Sequence, residues 1–281
     1  MRGLVRDLRA LGPELERRDA DLRALLEERH ETLLSAVRLI ADDEDENRRR
    51  VARLRASKGY DEPFDAKRPL VTIPIPTYAN ARGLLERSLP SALAQTHENI
   101  EIVVVGDGSP PEVEEAVRSF DDRRIRFVNL ERRGPYPDDP EALWCVAGTM
   151  PLNEALRIAR GQWMAILNDD DEFRPDHVER LVALARERRA EVAYGRLAMH
   201  KPDGSQEELG RFPPGLHQFG WQMSVFHEGL RFFGFSFGAE VFRIPGDWHL
   251  CRRMLRVGVR FAMTDHVVSD YYPARLWNAP A

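Results

Sequence analysis

Apolar residues recur at two different periods along the chain, and the change of period divides it. In the first 58 residues, Leu4, Leu8, Leu11 and Leu15 are three and four apart, and Leu22, Leu25, Leu26, Leu33, Val37 and Ile40 continue the stripe. That spacing predicts amphipathic helix. Pro13, directly after Gly12, suits the first turn of a new helix. The acid-to-base switch in ADDEDENRRR precedes a further short helix carrying Val51 and Leu54. The expectation is a helical hairpin or short coiled coil, its stripe packed on the main domain or on a second subunit, which makes a homodimer through the N-terminal helices a candidate assembly. SKGYDEPFDAKRP (57–69) mixes Gly, Pro and charge and reads as a linker, so extension and linker together span 1–66.

Beyond it the pattern shortens to strand-like runs separated by helical ones. LVTIPIPTY (70–78), IEIVVVGDGS (100–109), IRFVNLE (125–131), QWMAILN (162–168) and AEVAYGRLAMHK (190–201) read as strands, the last leading to a hairpin at PDGS. Between them, ARGLLERSLPSALAQT (81–96), PEVEEAVRSF (111–120), PLNEALRIARG (151–161) and PDHVERLVALARERR (175–189) read as helices. Uninterrupted apolar strands are the kind buried on both faces of parallel sheets. Strict alternation of strand and helix predicts a doubly wound α/β fold. In such sheets ligands bind at the carboxyl ends of the strands. Two strands end there in acids: one in GDGS, with Asp107, and one in NDDDE, with Asp169, Asp170 and Asp171.

Composition narrows the classes. The chain has 281 residues, 43% of them hydrophobic, which is ample for one large domain with an accessory piece. A net charge of −5, with arginines interleaved among acids, gives no surface suited to nucleic-acid phosphates. Cys145 and Cys251 form no CxxC pair and read as two buried thiols. The N-terminus lacks a signal-type apolar core, and no apolar stretch reaches the length of a membrane span. The expected location is the cytoplasm.

Adjacent carboxylates at strand tips repel one another, and need a cation or donating hydroxyls to offset that repulsion. Oxygen-only donors suit Mg²⁺ or Mn²⁺, and such sites use one or two carboxylates plus substrate phosphates. Each acidic stretch alone is also compatible with an exposed turn or a helix N-cap. Together, on tips of one sheet, they point to a metal-diphosphate site.

VTIPIPTYAN, LLERSLPSALAQTHENIEIVVVGDGS and PLNEALRIARGQWMAILNDDDEFRPDHVERL, in that order, resemble the family-two glycosyltransferases with the GT-A fold, well over residues 68–200 and more loosely to 275. The resemblance implies a GT-A domain over 67–281, with a nucleotide-sugar half at 67–200 and an acceptor half at 201–281. It implies inverting transfer of a sugar from a nucleoside-diphosphate donor, UDP-sugars being commonest, to a sugar or other hydroxyl-bearing acceptor, with Mn²⁺ or Mg²⁺. It places Tyr78, beside Pro76 and Thr77, and Asp107 at the nucleobase. Asn153 falls on the helix that supports the site. Asp170 takes the metal position, Asp169 contacts the ribose or metal, and Asp171 is a further ligand candidate. Asn168 stands where the family usually has the first acid of its D-x-D motif.

IPGDWHLCRRMLRVGVRFAMTDHVVSDYY resembles the block that supplies the base, with Asp247 at that position; Gly246 and His249 replace the acids usual on either side. Inversion needs one carboxylate to take the acceptor proton opposite the leaving group. Asp247 also suits a helix N-cap. His266 is a candidate third metal ligand, and His249, Trp221 and His217 are candidate acceptor contacts. Arg132 and Arg133 are candidates for phosphate. Two other classes stay open: a non-catalytic GT-A-like binding module or scaffold, and a sugar-phosphate nucleotidyltransferase. The latter expects a basic Gly-rich loop after the first strand, which IPIPTYANARG lacks.

Overall fold

A computed structural model describes residues 2–273, with the side chains of residues 1–16, 32, 35–36 and 38–42 outside the described set. The positions Leu4, Leu8, Leu11, Leu15 and Ile40 of the stripe, and the Pro13 ring, therefore lie outside the described residues. Two compact units are formed, Met1–Arg50 and Val51–Ala281.

In place of a hairpin, one helix, α1, runs Arg2–Arg55. Its composition explains the continuity. Leu, Arg, Glu and Ala dominate, all strong helix formers, and the exposed face is laced at i,i+4 by Arg23–Asp19 (2.9 Å), Arg48–Glu44 (3.0 Å) and Arg50–Glu46 (3.1 Å). Leu22, Leu25, Leu26, Leu33 and Val37 face solvent.

The second unit begins with the last turn of α1. The stretch expected as a linker is instead part of its core. Tyr60 and Phe64, the latter on the short helix α2 (Glu62–Asp65), are buried. Phe64 meets Trp163 edge-on at 5.4 Å, and Trp163 Nε1 donates to the Pro63 carbonyl at 3.1 Å. Two aromatic rings bury more area than the polar composition of the stretch suggested. Beside them Glu191, fully buried, accepts from Arg55 Nε and Nη2 (both 2.7 Å), from the Tyr60 hydroxyl (2.7 Å) and from the Arg260 amide (2.9 Å).

The strands form one sheet. β1 (Val71–Thr77) is central, flanked by β2 (Ile100–Gly106) and β4 (Trp163–Met164), with β3 (Ile125–Asn129) outside β2, all parallel. Crossovers are helical. α3 (Ala81–Gly83) passes through a π-helical turn, Leu84–Ser88, into α4 (Leu89–Leu93). α5 (Pro111–Arg118) follows β2, and α6 (Pro140–Val146) and α7 (Thr149–Ile158) follow β3. β5 (Glu172–Phe173), α8 (His177–Arg188) and β6 (Val192–His200) come next, and β6 turns at 201–205 into β7 (Gln206–Leu209). β8 (Ser224–His227) joins the halves, running antiparallel to both β4 and β6. After α9 (Gly238–Val241) and α10 (Gly246–Arg256), the final strand β9 (Phe261–Tyr271) lies parallel to β6 and holds β5 on its far side. All seven residues of β2 are buried, as a doubly covered strand requires.

The strand expected over 162–168 is regular only at Trp163–Met164, and the prolines of β1 explain why. Thr72 and Pro74 face β4 and accept from Ala165 (2.9 Å) and Leu167 (3.0 Å), but Pro74 and Pro76 have no N–H to return. Half of that ladder is missing, and the chain leaves the sheet at Asn168.

Candidate active site at the strand tips

The carboxyl ends of β2, β1 and β4 open onto one cleft of about 1450 Å³. Pro76, Thr77 and Tyr78 line it from β1, Asp107 from β2, and Asn168, Asp169 and Asp170 from β4; Asp247 and His217 face it from the second half of the chain. The sequence-predicted residues are thus largely brought together.

The walls of the cleft at the β1 and β2 tips hold one another in place. The Asp107 amide donates to the Thr77 carbonyl at 2.8 Å, locking the two tips together. Asp107 Oδ1 accepts from the Gly134 amide at 3.0 Å. Gly108, at φ +65°, could take no side chain here: a Cβ would lie 2.6 Å from the Arg133 nitrogen. This contact brings the 131–136 loop over the cleft, with the Arg133 guanidinium 4.1 Å above the Tyr78 ring and 5.5 Å from that of Tyr136. Arg133 therefore stacks at the Tyr78 end. Burial and the hydrogen bond to Asp107 push the Tyr136 hydroxyl upward.

At the tip of β4 the three aspartates divide. Asp169 Oδ1 accepts from Asn80 Nδ2 at 3.1 Å, while Asn80 Oδ1 caps α3 by accepting from the Gly83 amide at 3.0 Å. Burial raises the Asp169 carboxyl above its ordinary range. Burial, then the neighbouring Asp169 charge, pushes Asp170 up to about 6, against a pull from Arg87. Asp171 turns inward and is fully buried. Its two oxygens accept from Asn168 Nδ2 (2.8 Å) and the Tyr272 amide (3.0 Å), and burial followed by the Asp170 charge raises it strongly. This accounts for Asn168: an amide there donates to a buried carboxylate, whereas an acid would set a further charge against it.

Gly83 is a consequence of the same geometry. A Cβ at this position would stand 2.2 Å from the Asp169 carbonyl oxygen and 2.3 Å from Asn80 Nδ2. Gly83→Ala is expected to cost on the order of 1–3 kcal/mol by overpacking and to weaken nucleotide binding, read together by thermal melting and titration; wild-type values for both would show that Asn80 does not fix the acid turn.

Asp247 is the second residue of α10, whose N-cap is Pro245, so the side chain caps nothing. Its Oδ2 accepts a long bond from the Trp221 amide (3.4 Å), and Trp221 Nε1 donates to the Asp247 carbonyl (3.2 Å). Burial raises the carboxyl to about 6, with the Trp221 amide opposing. One oxygen is left to accept a proton from a bound hydroxyl. Tyr271, from the end of β9, lines the cleft between the two acidic groups. Burial, then the charges of Asp171, Asp170 and Asp247, pushes it up to about 12.

Of the other expected contacts, His217 alone lines the cleft. Trp221 is 1% exposed and packs edge-on to Phe219 (5.1 Å) and Phe226 (5.2 Å) beneath Asp247. His249 is buried, stacks on Phe242 at 5.7 Å, and is held down to about 4 by burial and nearby arginines. His266 is exposed on β9, away from the cleft lining. Asn153 does not line the cleft; it exchanges hydrogen bonds with the Phe235 backbone (3.0 and 2.8 Å). His217 is exposed at the rim, at φ 59°. Asn80, Arg87, Tyr271 and Tyr272 were not foreseen; of these only Asn80 had a signal, its place just before a helical run.

Among the described residues no three His, Cys, Asp or Glu side chains gather to hold a metal unaided. The donor set facing the cleft is Asp169 and Asp170. Two part-buried carboxylates, both raised by burial and Asp170 also by the Asp169 charge, fit a divalent cation whose remaining ligands come from a diphosphate.

The model for glycosyl transferase family 2 matches residues 72–136 and 151–245. The succinoglycan biosynthesis protein ExoO of Rhizobium meliloti is 31% identical over 224 residues, 70% of this chain and 59% of its own length. Among solved structures, Staphylococcus aureus TarS 1–349 in complex with UDP superposes with a TM-score of 0.55 at 16% identity, over 73% of this chain and 61% of that one. The mannosyltransferase PcManGT of Pyrobaculum calidifontis, in complex with GDP-Man and Mn²⁺, gives a TM-score of 0.54 at 19% identity, over 83% and 65%. The chain thus spans about 59% of the length of ExoO, and no described helix is long and apolar enough to cross a membrane.

Proposed function

The chain belongs to glycosyl transferase family 2 and has the GT-A fold, and from that premise we propose that it moves a sugar, with inversion, from a nucleoside-diphosphate donor to an acceptor hydroxyl. The observation that carries the reading is the meeting, in one cleft, of the acid pair Asp169–Asp170, the Tyr78 ring and Asp107, and Asp247 with one oxygen free.

In this reading the nucleobase packs beside the stacked Tyr78 and Arg133, and Asp107 accepts a hydrogen bond from its edge. Asp169 holds the ribose or the metal, and Asp170 ligates a divalent cation, which when bound offsets the charge of the diphosphate. Asp247 takes the proton of the acceptor hydroxyl as that oxygen attacks the anomeric carbon. The carbon–oxygen bond to the β-phosphate breaks, and its electron pair leaves with the diphosphate. Trp221, below the cleft floor, fixes the base rather than touching the acceptor. Solved relatives of similar fold hold UDP or GDP-Man; UDP-sugars are the donors favoured here.

A thermal-shift series with UDP, dTDP, GDP and CDP, each with Mn²⁺ and with chelator, tests the donor site. Binding to the native state raises the melting temperature. One nucleotide is expected to do so with metal and to lose the effect with chelator. No shift with any of the four would remove the basis for a nucleotide site.

A further inference from the structure

One cation of the cleft is placed unlike the rest. Arg82 is paired with Glu86 (2.8 Å), Lys201 with Glu207 (2.7 Å), and Arg133 stacks on Tyr78. Arg87 lines the cleft at the acid turn, where its Nη1 donates to the Asp170 backbone carbonyl at 3.2 Å. Its guanidinium lies over the Tyr272 ring, 3.8 Å from the centroid. The ring braces one face, the carbonyl takes one N–H, and the other donors of the planar fork remain for a ligand. An arginine placed only to neutralise the turn would bond the Asp170 carboxylate; this one bonds the carbonyl and leaves the carboxylate to the cleft.

The backbone beneath it is also unusual. Arg87 belongs to the π-helical turn Leu84–Ser88 between α3 and α4. Such turns are rare, appear mostly as single-turn bulges within α-helices, and are frequently found at functional sites. The preceding turn is already anchored through Asn80, whose Nδ2 donates to Asp169 while its Oδ1 accepts from the Gly83 amide. The π-turn changes the helical phase just after that anchor, and Arg87 emerges beside Asp170.

We propose that Arg87 is a catalytic residue that grips the β-phosphate of the donor and takes up charge on the departing diphosphate. The inference rests on the donor-site reading above. As the bond from the anomeric carbon to the β-phosphate oxygen breaks, the electron pair goes to that oxygen, and the free N–H groups of Arg87 donate to the phosphate oxygens carrying it. The acceptor oxygen forms the new bond, and its proton goes to Asp247. A planar fork meets two phosphate oxygens at once, and Tyr272 holds it in that plane.

Calorimetric titration of UDP, UMP, GDP and GMP with Mn²⁺, into wild type, Arg87→Ala and Arg87→Lys, is the test. Wild type is expected to prefer the diphosphate of its base over the monophosphate. Arg87→Ala is expected to lose at least about tenfold in diphosphate affinity, the size of a charge-assisted contact, while monophosphate affinity stays within about twofold. Arg87→Lys restores part of the preference, since it returns the charge without the fork. A diphosphate preference unchanged in Arg87→Ala overturns the assignment and leaves the donor site standing. An equal loss of both nucleotides also overturns it, because Arg87 would then only hold the turn. Absence of binding by wild type overturns the donor-site reading and this one with it.

Discussion

Asp247→Asn is expected to lower kcat by about 10²–10⁴-fold, the usual contribution of a general base, and at the same time to raise the melting temperature. Both effects come from the burial that lifts the carboxyl to about 6 from its ordinary 3.8. At neutral pH the folded state must hold this group ionised, with one long hydrogen bond from Trp221. The gap corresponds to roughly 3 kcal/mol of bias toward the protonated form. Asn keeps the shape and the bond to the Trp221 amide but removes the buried charge, so a gain on the order of 1–2 kcal/mol remains after its own burial. The sign follows from linkage. A carboxyl whose pKa is raised on folding binds more protons in the native state, so its contribution to stability falls as pH rises from about 3.8 to about 6 and is flat above. The advantage of the variant should therefore grow as pH rises from about 3.8, be full above about 6, and vanish in acid. In wild type, kcat/KM should fall as pH drops through about 6. Transfer surviving in the variant at the wild-type rate would remove Asp247 from the role.

Glu191→Ala is expected to have the largest effect on folding. Burial alone would raise this carboxyl, yet the Arg55 guanidinium, the Arg260 amide and the Tyr60 hydroxyl hold it below its ordinary range. Removing the anion leaves Arg55 and Tyr60 facing an empty acceptor inside the domain. Loss of one partner from a buried ionic network typically costs about 3–5 kcal/mol, or on the order of 10 °C in melting temperature for a domain of this size. Because the pKa is depressed, the network contributes fully above the unfolded value near 4.3 and is lost as pH falls through the lower folded value. The gap between variant and wild type should then narrow in acid. Melting within a degree or so of wild type at neutral pH would mean that the network is replaced by water.

The parts of the fold visible in the sequence were those written in local periodicity. Ile100–Gly106 reads as a buried strand because all seven of its residues lack a solvent face, and Asp107, Asp169 and Asp170 are found by following strands to their ends. What stayed hidden depends on which residues meet across long separations. Asn168 reads as a damaged motif until Asp171 is seen turned inward against it. Trp221 reads as an exposed acceptor contact, but the turn at Trp221–Met223, just before β8, buries it in the core. Tyr272 reaches the acid turn from 101 residues away, and no local pattern marks it or Arg87. The N-terminal helix was expected to break at Gly12–Pro13 because two weak helix formers adjoin, whereas the strong formers on either side carry it through.

Sequestering Asp171 has a consequence for the order of events. With two carboxylates left at the cleft, the cation of the proposed reading would lack a preformed cage and would rely on phosphate oxygens for the rest of its shell. On that reading metal and nucleotide would be effectors of one another, each raising the other's affinity by the same factor, as reciprocity demands. The nucleotide series repeated across metal concentrations reads that factor directly. On the proposed reading, metal would leave with the spent diphosphate, which would tie the exit of product to the resetting of the site.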